Sequence, residues 1–320
     1  MSDTIRVGSV GPARLGSSLD GGEAAMRERR RSGLALIELV SASAILMLLV
    51  AFQFPALMRS REAARRSQCV NNLKQIGLAT HNYVDVFGAY PMSAVVGSGH
   101  GNGQGCFTQI LPYLEQVAVY NAYNFSLENS HLANTTAMRV KMNVFLCPSN
   151  TKFANTKSSE IRNQHDKAYR AGLEFAAGHY GANWGGVRAA SGAEAAKAYP
   201  GSHLGVILTV VDPDAKVPTQ NIKLKDITDG TSNTLAYAEK LDSFGWGVGG
   251  WGGTEFYVNT SVNYEGKDAK LKRVFTGSLH PGGINVGLAD GAVMFLRNDF
   301  DRKMWYGTTT RNRGEFIKFD

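Results

Sequence analysis

Three cysteines and nine prolines are few for a chain of 320 residues. That cysteine count excludes a disulfide-built miniprotein, and no Cys-x-x-Cys pair opens a zinc site. The chain also lacks His-Glu-x-x-His, a Gly-x-Ser-x-Gly elbow and a phosphate loop ending in Gly-Lys-Ser/Thr, so it reads as a non-enzyme. Glycine is plentiful at 36 residues but has no three-residue period, which excludes collagen. Hydrophobic residues make up 43%, enough to bury a core, so wholesale disorder is excluded as well.

The formal net charge is +7, and its placement matters more than its size. Residues 1–33 carry +2 and residues 59–74 carry +4, leaving only +2 for residues 75–320. The basic residues therefore flank something instead of covering a face, and no nucleic-acid partner is expected. What they flank is the run LALIELVSASAILMLLVAFQFPALM at residues 34–58, whose one charge is Glu38. At about 1.5 Å per residue a helix of this length crosses a ~30 Å hydrocarbon layer. It is also too long for the apolar core of a cleaved secretory signal. Four arginines precede the run and four follow it, so charge does not set the orientation.

A carboxylate inside a membrane span is costly and needs a partner. Arg-Ser-Gly33, then Leu34, with Glu38 as the fifth residue after the glycine, resembles the type IV prepilin cleavage and methylation signal. The resemblance implies cleavage between Gly33 and Leu34 by a prepilin peptidase and N-methylation of the new amino terminus. The resulting α-ammonium group is the cation that Glu38 lacks, and in pilin-like assemblies it can belong to the neighbouring subunit. Pro55 matches a proline that pilin helices often carry and that opens the helical ladder locally. Leu34 stands where most members have Phe, and Ser41 and Ser43 interrupt the aliphatic run. Met26 would make a short basic leader of ordinary form.

Beyond the span, Cys69, Leu73, Ile76, Thr80, Tyr83 and Phe87 recur at spacings of three and four, which predicts a helical stripe packed on a core and ending near Gly88. Cys69 on this stripe is read as a buried thiol. The blocks REAARRSQCVNNLKQIGLATHNY, LPYLEQ, FLCPSN and DGTSNTLAYAE, with His280 followed after nine intervening residues by Asp290-Gly291, together resemble a large bacterial family. Its members join a prepilin-type amino terminus to a carboxyl-terminal H-x9-D-G motif and a domain of unknown function. The resemblance implies an α+β protein in which a long membrane-spanning helix packs on an enlarged, mostly antiparallel β head. The divisions expected are a leader at 1–33, a transmembrane helix at 34–58, its continuation at 59–88 and a head at 89–320. The implied partners are the prepilin peptidase, the bacterial inner membrane and other pilin-like subunits, with the head in the periplasm or exterior. The implied role is that of a pilin-like or pseudopilin-like structural subunit.

Within the head, residues 206–211, 222–225, 255–263 and 284–297 favour strands. Asp290-Gly291 suits a two-residue type I′ turn, which would pair Leu288 with Val293 and Val286 with Phe295. His280 lies beyond that ladder, where it could approach Asp299 or Asp301 by a hydrogen bond or as half of a metal site. No cofactor is expected. The weak calcium candidates are Asp226 and Asp229, with Thr231, Ser232 and Asn233 nearby, and turn or capping use competes with that reading. Cys106 and Cys147 both fall in the head, where a disulfide between them is permitted. Trp246 and Trp251, in the glycine-rich stretch 245–253, fit either tryptophans packed over a glycine-rich loop, the reading preferred, or an aromatic platform. A second reading therefore keeps the anchor and makes the head a glycan- or surface-binding module that never polymerises.

Overall fold

The computed structural model describes residues 20–95, 104–127, 129, 131–150, 155–157, 174–187, 204–210, 221–241, 243, 245–249, 253–258, 261–264 and 275–314. The chain divides into two compact units, Met1–Ser60 and Arg61–Asp320. Helix α1, Asp20–Phe87, contributes residues to both. Within the first unit, Leu36, Ile37, Leu39, Val40, Leu46 and Phe52 are each at least 60% exposed. An apolar surface with no core to cover belongs to a non-aqueous environment or a partner. The hydroxyls of Ser41 and Ser43 donate to the carbonyls of Glu38 and Val40, so neither interrupts the run with an unsatisfied polar group. Helix α1 continues through Pro55, whose missing N–H removes one i→i−4 bond.

In the second unit the stripe holds for most of its length. Cys69, Leu73, Ile76 and Thr80 are buried, together with Asn72, Ala79 and Val84. Tyr83 is half-buried and Phe87 is 62% exposed, so the last turn departs from the expected stripe. Phe87 covers Tyr83 instead, with ring centroids 4.4 Å apart. Gly88 ends the helix at φ +72°, and its N–H donates to the Val84 carbonyl.

The head is an α+β arrangement around a five-stranded mixed sheet. Its strands are β4 (Tyr180–Val187), β6 (Leu235–Glu239), β7 (Glu255–Val258), β8 (Gly283–Leu288) and β9 (Val293–Arg297). The order is β7-β4-β6-β8-β9, antiparallel except for the parallel β4–β7 pair. The short strands β1 (Ala94–Val95) and β5 (Thr209–Val210) pair in parallel, and β2 (Asn155–Lys157) pairs with β3 (Glu174–Ala176). Short helices α2 (Cys106–Ile110), α3 (Val117–Ala122), α4 (Thr135–Met138) and α5 (Arg302–Thr308) fill the surroundings.

Three expected strands are shorter than the residue types suggest. Among the described residues, Thr209–Val210 of 206–211 and Glu255–Val258 of 255–263 are strand, and Leu224–Asp226 is a 3-10 turn. The carboxylate of Asp226 caps that turn by accepting the Lys223 N–H, a local bond that competes with a ladder. The hairpin from β8 to β9 forms, but its register differs by one residue: Gly287 faces Val293 and Val286 faces Met294. The Gly291 N–H donates to the Leu288 carbonyl, Gly291 sits at φ +86°, and the Leu288 N–H donates to the Ala292 carbonyl. That is a three-residue loop closed by a glycine bulge, so the extra residue shifts every pair.

Candidate functional site

Three of the four sequence blocks that carry the family resemblance converge, with His280, on one largely buried cluster. Helix α1 brings Glu62, Cys69 and Asn72. The loop after the 3-10 turn Asn143–Phe145 brings Cys147, β6 ends on Glu239, and His280 precedes β8. Glu239 is 1% exposed and His280 3%.

The polar groups form a chain of alternating charge. Arg65 Nη2 lies 2.8 Å from Glu62 Oε2, and His280 Nδ1 lies 2.6 Å from Glu62 Oε1. The other ring nitrogen, Nε2, lies 3.3 Å from Glu239 Oε1 and 3.5 Å from Cys147 Sγ. Asn285 closes the chain, its side-chain amide donating to Glu239 Oε1 at 2.8 Å and its backbone N–H to Oε2 at 2.9 Å. An imidazole facing a carboxylate on each side is held in the doubly protonated form. Burial opposes that charge, but the hydrogen bonds with Cys147, Glu239 and Glu62 and the charge of Glu239 outweigh it and push His280 up to about 10. Burial likewise acts to raise the Glu62 pKa, while hydrogen bonds from His280, Arg65 and Ser149 hold it below the ordinary carboxylate value.

Cys69 Sγ lies 2.6 Å from Cys147 Sγ. With both as thiols, the Cys69 proton points at Cys147, which lowers Cys147 to about 6 against the effect of burial, with His280 assisting; the same bond pushes Cys69 up. The loop around Cys147 is fixed on all sides. The Asn72 side chain donates to the carbonyls of Asn143 and Leu146, the Cys147 N–H donates to His179 Nδ1, and Asn150 donates to the Leu241 carbonyl. Ligand atoms of Cys69, Cys147, Glu239 and His280 all lie within 4.8 Å of one another, a donor set of the kind that binds zinc.

The spacing of the H-x9-D-G motif has a geometric account. His280 grips Glu62 of α1, and the motif's other end meets the same helix further along. A Cβ on Gly77 would lie 3.2 Å from Gly291 Cα, and one on Gly291 would lie 3.4 Å from the His81 ring. Midway, a Cβ on Gly287 would lie 3.9 Å from Leu73. Strand β8 therefore runs along α1, and the ten steps from His280 to Asp290, up to about 33 Å of extended chain, match roughly 28 Å of helix from Glu62 to His81. The turn is tied down elsewhere as well: Ala289 N–H donates to the Thr234 carbonyl, Asp290 N–H to the Thr231 carbonyl, and the Tyr90 hydroxyl to the Ala289 carbonyl. Asp290 itself accepts the Ala292 N–H.

Several expectations are corrected here. His280 meets neither Asp299 nor Asp301: Asp299 pairs with Arg297, and Asp301 caps α5. Cys147 lies against Cys69, not Cys106, which is buried at the start of α2 with its thiol pushed up by burial. The oxygens of Asp229 accept the N–H groups of Arg313 and Gly314, and Asp226 caps its turn, so the calcium candidates serve as backbone acceptors. Trp246 is fully buried, donates to the Val140 carbonyl and stacks on Phe145, so it is no surface platform. Trp251 lies outside the described residues, as do the side chains of Leu34 and Pro55, and Gly33 falls within α1. Glu38, in the exposed unit, is remote in sequence from the cluster. Glu62 and Glu239 were not singled out from the sequence, although both lie within quoted blocks. Glu239 had a signal, an acid at the end of an otherwise apolar buried strand, whereas Glu62, among exposed arginines, had none.

Neither the curated proteins nor the solved structures compared with the chain match it. A family profile, SBP_bac_10, described as Protein of unknown function (DUF1559), matches residues 58–303, which include Glu62, Cys69, Cys147, Glu239, His280, Asp290 and Gly291. A match over well over half of the sequence, containing the whole buried cluster, places the chain in the DUF1559 family.

Proposed function

We propose that the protein is a pilin-like structural subunit, cut by a prepilin peptidase between Gly33 and Leu34, anchored in the bacterial inner membrane by α1 and assembled with like subunits through helix packing. The observation that carries this reading is the exposed apolar surface of residues 35–54, on which Glu38 is the one charged side chain. Among the described residues, α1 is the one helix long and apolar enough to cross a membrane. Apolar exposure on every face suits lipid or neighbouring helices and does not suit water. Glu38 then has a role that lipid alone would not provide, as the partner of a freshly exposed α-ammonium group.

The test is the mass of the amino-terminal peptide of protein recovered from membranes of cells that contain a prepilin peptidase. A peptide starting with N-methylated Leu34 supports the reading. A chain that retains Gly33 overturns it. For assembly, Glu38→Ala is expected to leave the subunit in the membrane but abolish filaments or cross-linked oligomers.

A further inference from the structure

The sulfurs of Cys69 and Cys147 are in contact at 2.6 Å, 78 residues apart in sequence, and both side chains are buried. These two sulfurs with Glu239 and His280 would also suit a metal ion, so the two chemistries must be separated on geometry. Two thiolates bound to tetrahedral zinc at about 2.3 Å each stand about 3.8 Å apart. The observed contact is far inside that separation and inside the ordinary contact distance of two unbonded sulfurs. Glu239 argues in the same direction. Both of its oxygens already accept N–H groups of Asn285, and Oε1 also faces His280.

We infer that Cys69 and Cys147 form a disulfide that staples helix α1 to the head, with the His280 imidazolium held beside Cys147 by Glu62 and Glu239. Its formation follows thiol–disulfide exchange with an external disulfide carrier, such as an oxidised dithiol oxidoreductase or glutathione disulfide. The Cys147 thiolate attacks the carrier and releases one carrier thiol. Cys69 then attacks the Cys147 sulfur and releases the second. Two protein thiols and one carrier disulfide thus become one protein disulfide and two carrier thiols, and the two electrons and two protons leave on the carrier. Both sulfurs are enclosed in the folded head, so the exchange takes place during folding, before the cluster closes. Cys106 is left as a buried thiol. From the preceding reading the inference takes only that the head matures in an oxidising compartment outside the cytoplasm.

The experiment is non-reducing peptide mapping of the full chain, extracted in detergent from bacterial membranes after acid quench and alkylation, with metal analysis of the same sample. The expected result is a Cys69 peptide linked to a Cys147 peptide, two hydrogens lighter than the separate thiols, with Cys106 alkylated only on denaturation. Free Cys69 and Cys147 with stoichiometric zinc would overturn the disulfide in favour of a metal site. Free thiols without metal that remain unlinked after refolding in glutathione redox buffer, or a link to Cys106, overturn it too. An alkaline-phosphatase fusion at the carboxyl terminus reports the head's compartment separately. An inactive fusion with a linked chain would count against the membrane reading and leave the pairing standing. As a readout beyond folding, reductant should lower the melting temperature of the wild type by several degrees, and Cys69→Ser/Cys147→Ser should show no reductant response.

Discussion

The two ends of α1 obey opposite rules. Residues 35–54 expose Leu, Ile, Val and Phe to a degree that water does not tolerate over so many positions, whereas residues 69–84 bury Asn72 and Thr80 among apolar neighbours. The apolar side chains of the first end pack on no core, and its polar ones, Ser41 and Ser43, bond only to carbonyls of the same helix. The second end is specified atom by atom: Asn72 caps two carbonyls of the Cys147 loop, and Thr80 shares a hydrogen bond with the Tyr237 hydroxyl at 2.6 Å. The comparison teaches that a uniform apolar surface can tolerate substitution by size and shape, while a surface that carries polar keys cannot.

The contrast is broken most sharply by truncating one leucine at each end. Leu73→Ala should destabilise the head by about 3 kcal/mol through lost burial and the cavity left behind. Leu46→Ala should change head stability by less than about 0.5 kcal/mol. Denaturant unfolding of the full chain in detergent, followed by the fluorescence of the buried Trp246 and Trp305, reads both. Equal losses would mean that the two ends share a core.

A comparable loss, also about 3 kcal/mol, is expected for His280→Gln, because it leaves Glu239 buried without its cation. The pH dependence sharpens this. His280 is raised in the folded protein, and the part of that shift due to Glu239 and Glu62 persists when Cys147 is in a disulfide, so it contributes stability fully below the unfolded histidine value near 6.5 and loses it as pH rises through the raised folded value. Wild-type stability should therefore fall between those limits, and the variant should show a flatter profile over the same window. Glu62 acts at the other extreme: its lowered pKa supplies stability above the ordinary carboxylate value that is lost on acidification.

Smaller effects test the second clamp of the motif. Gly77→Val forces a side chain against the Gly291 backbone and should cost about 2 kcal/mol in the same unfolding assay. Gly291→Ala keeps the loop but places a Cβ at φ +86°, for about 1 kcal/mol. Smallest of all is calcium. With Asp229 accepting two backbone N–H groups, millimolar calcium should leave the melting temperature unchanged, and a rise abolished by Asp229→Asn would contradict that assignment.

Much of the architecture was legible in the residues. The apolar run, the stripe from Cys69 to Thr80, the stop at Gly88 and the existence of the last hairpin each depend on positions a few residues apart, where helix and turn geometry leave little choice. The hairpin register was not legible, since Asp-Gly suits both a two-residue turn and the longer loop with its bulge, and only the docking of that loop against Gly77 and His81 separates them. The choice between a packed and an exposed Trp246 was open for a related reason. Flanking glycines mark a close approach of backbones, and whether that approach faces solvent or a core depends on what lies across from it, here Phe145.

The sequence by itself determined that the chain has a lipid-compatible helix, a packed continuation of it and a head rich in short strands, because periodicity and length are local properties. It also marked Cys69, Cys147 and His280 as members of distinct blocks. Only the tertiary structure decided that these blocks meet, that His280 bridges Glu62 and Glu239, and that Cys147 faces Cys69 instead of Cys106. His280 and Glu62 are separated by 218 residues, and Cys147 and His280 by 133. No local pattern encodes such a pairing. It follows from the way β6 and β8 lie along α1, with Tyr237 bonded to Thr80 and Gly287 against Leu73.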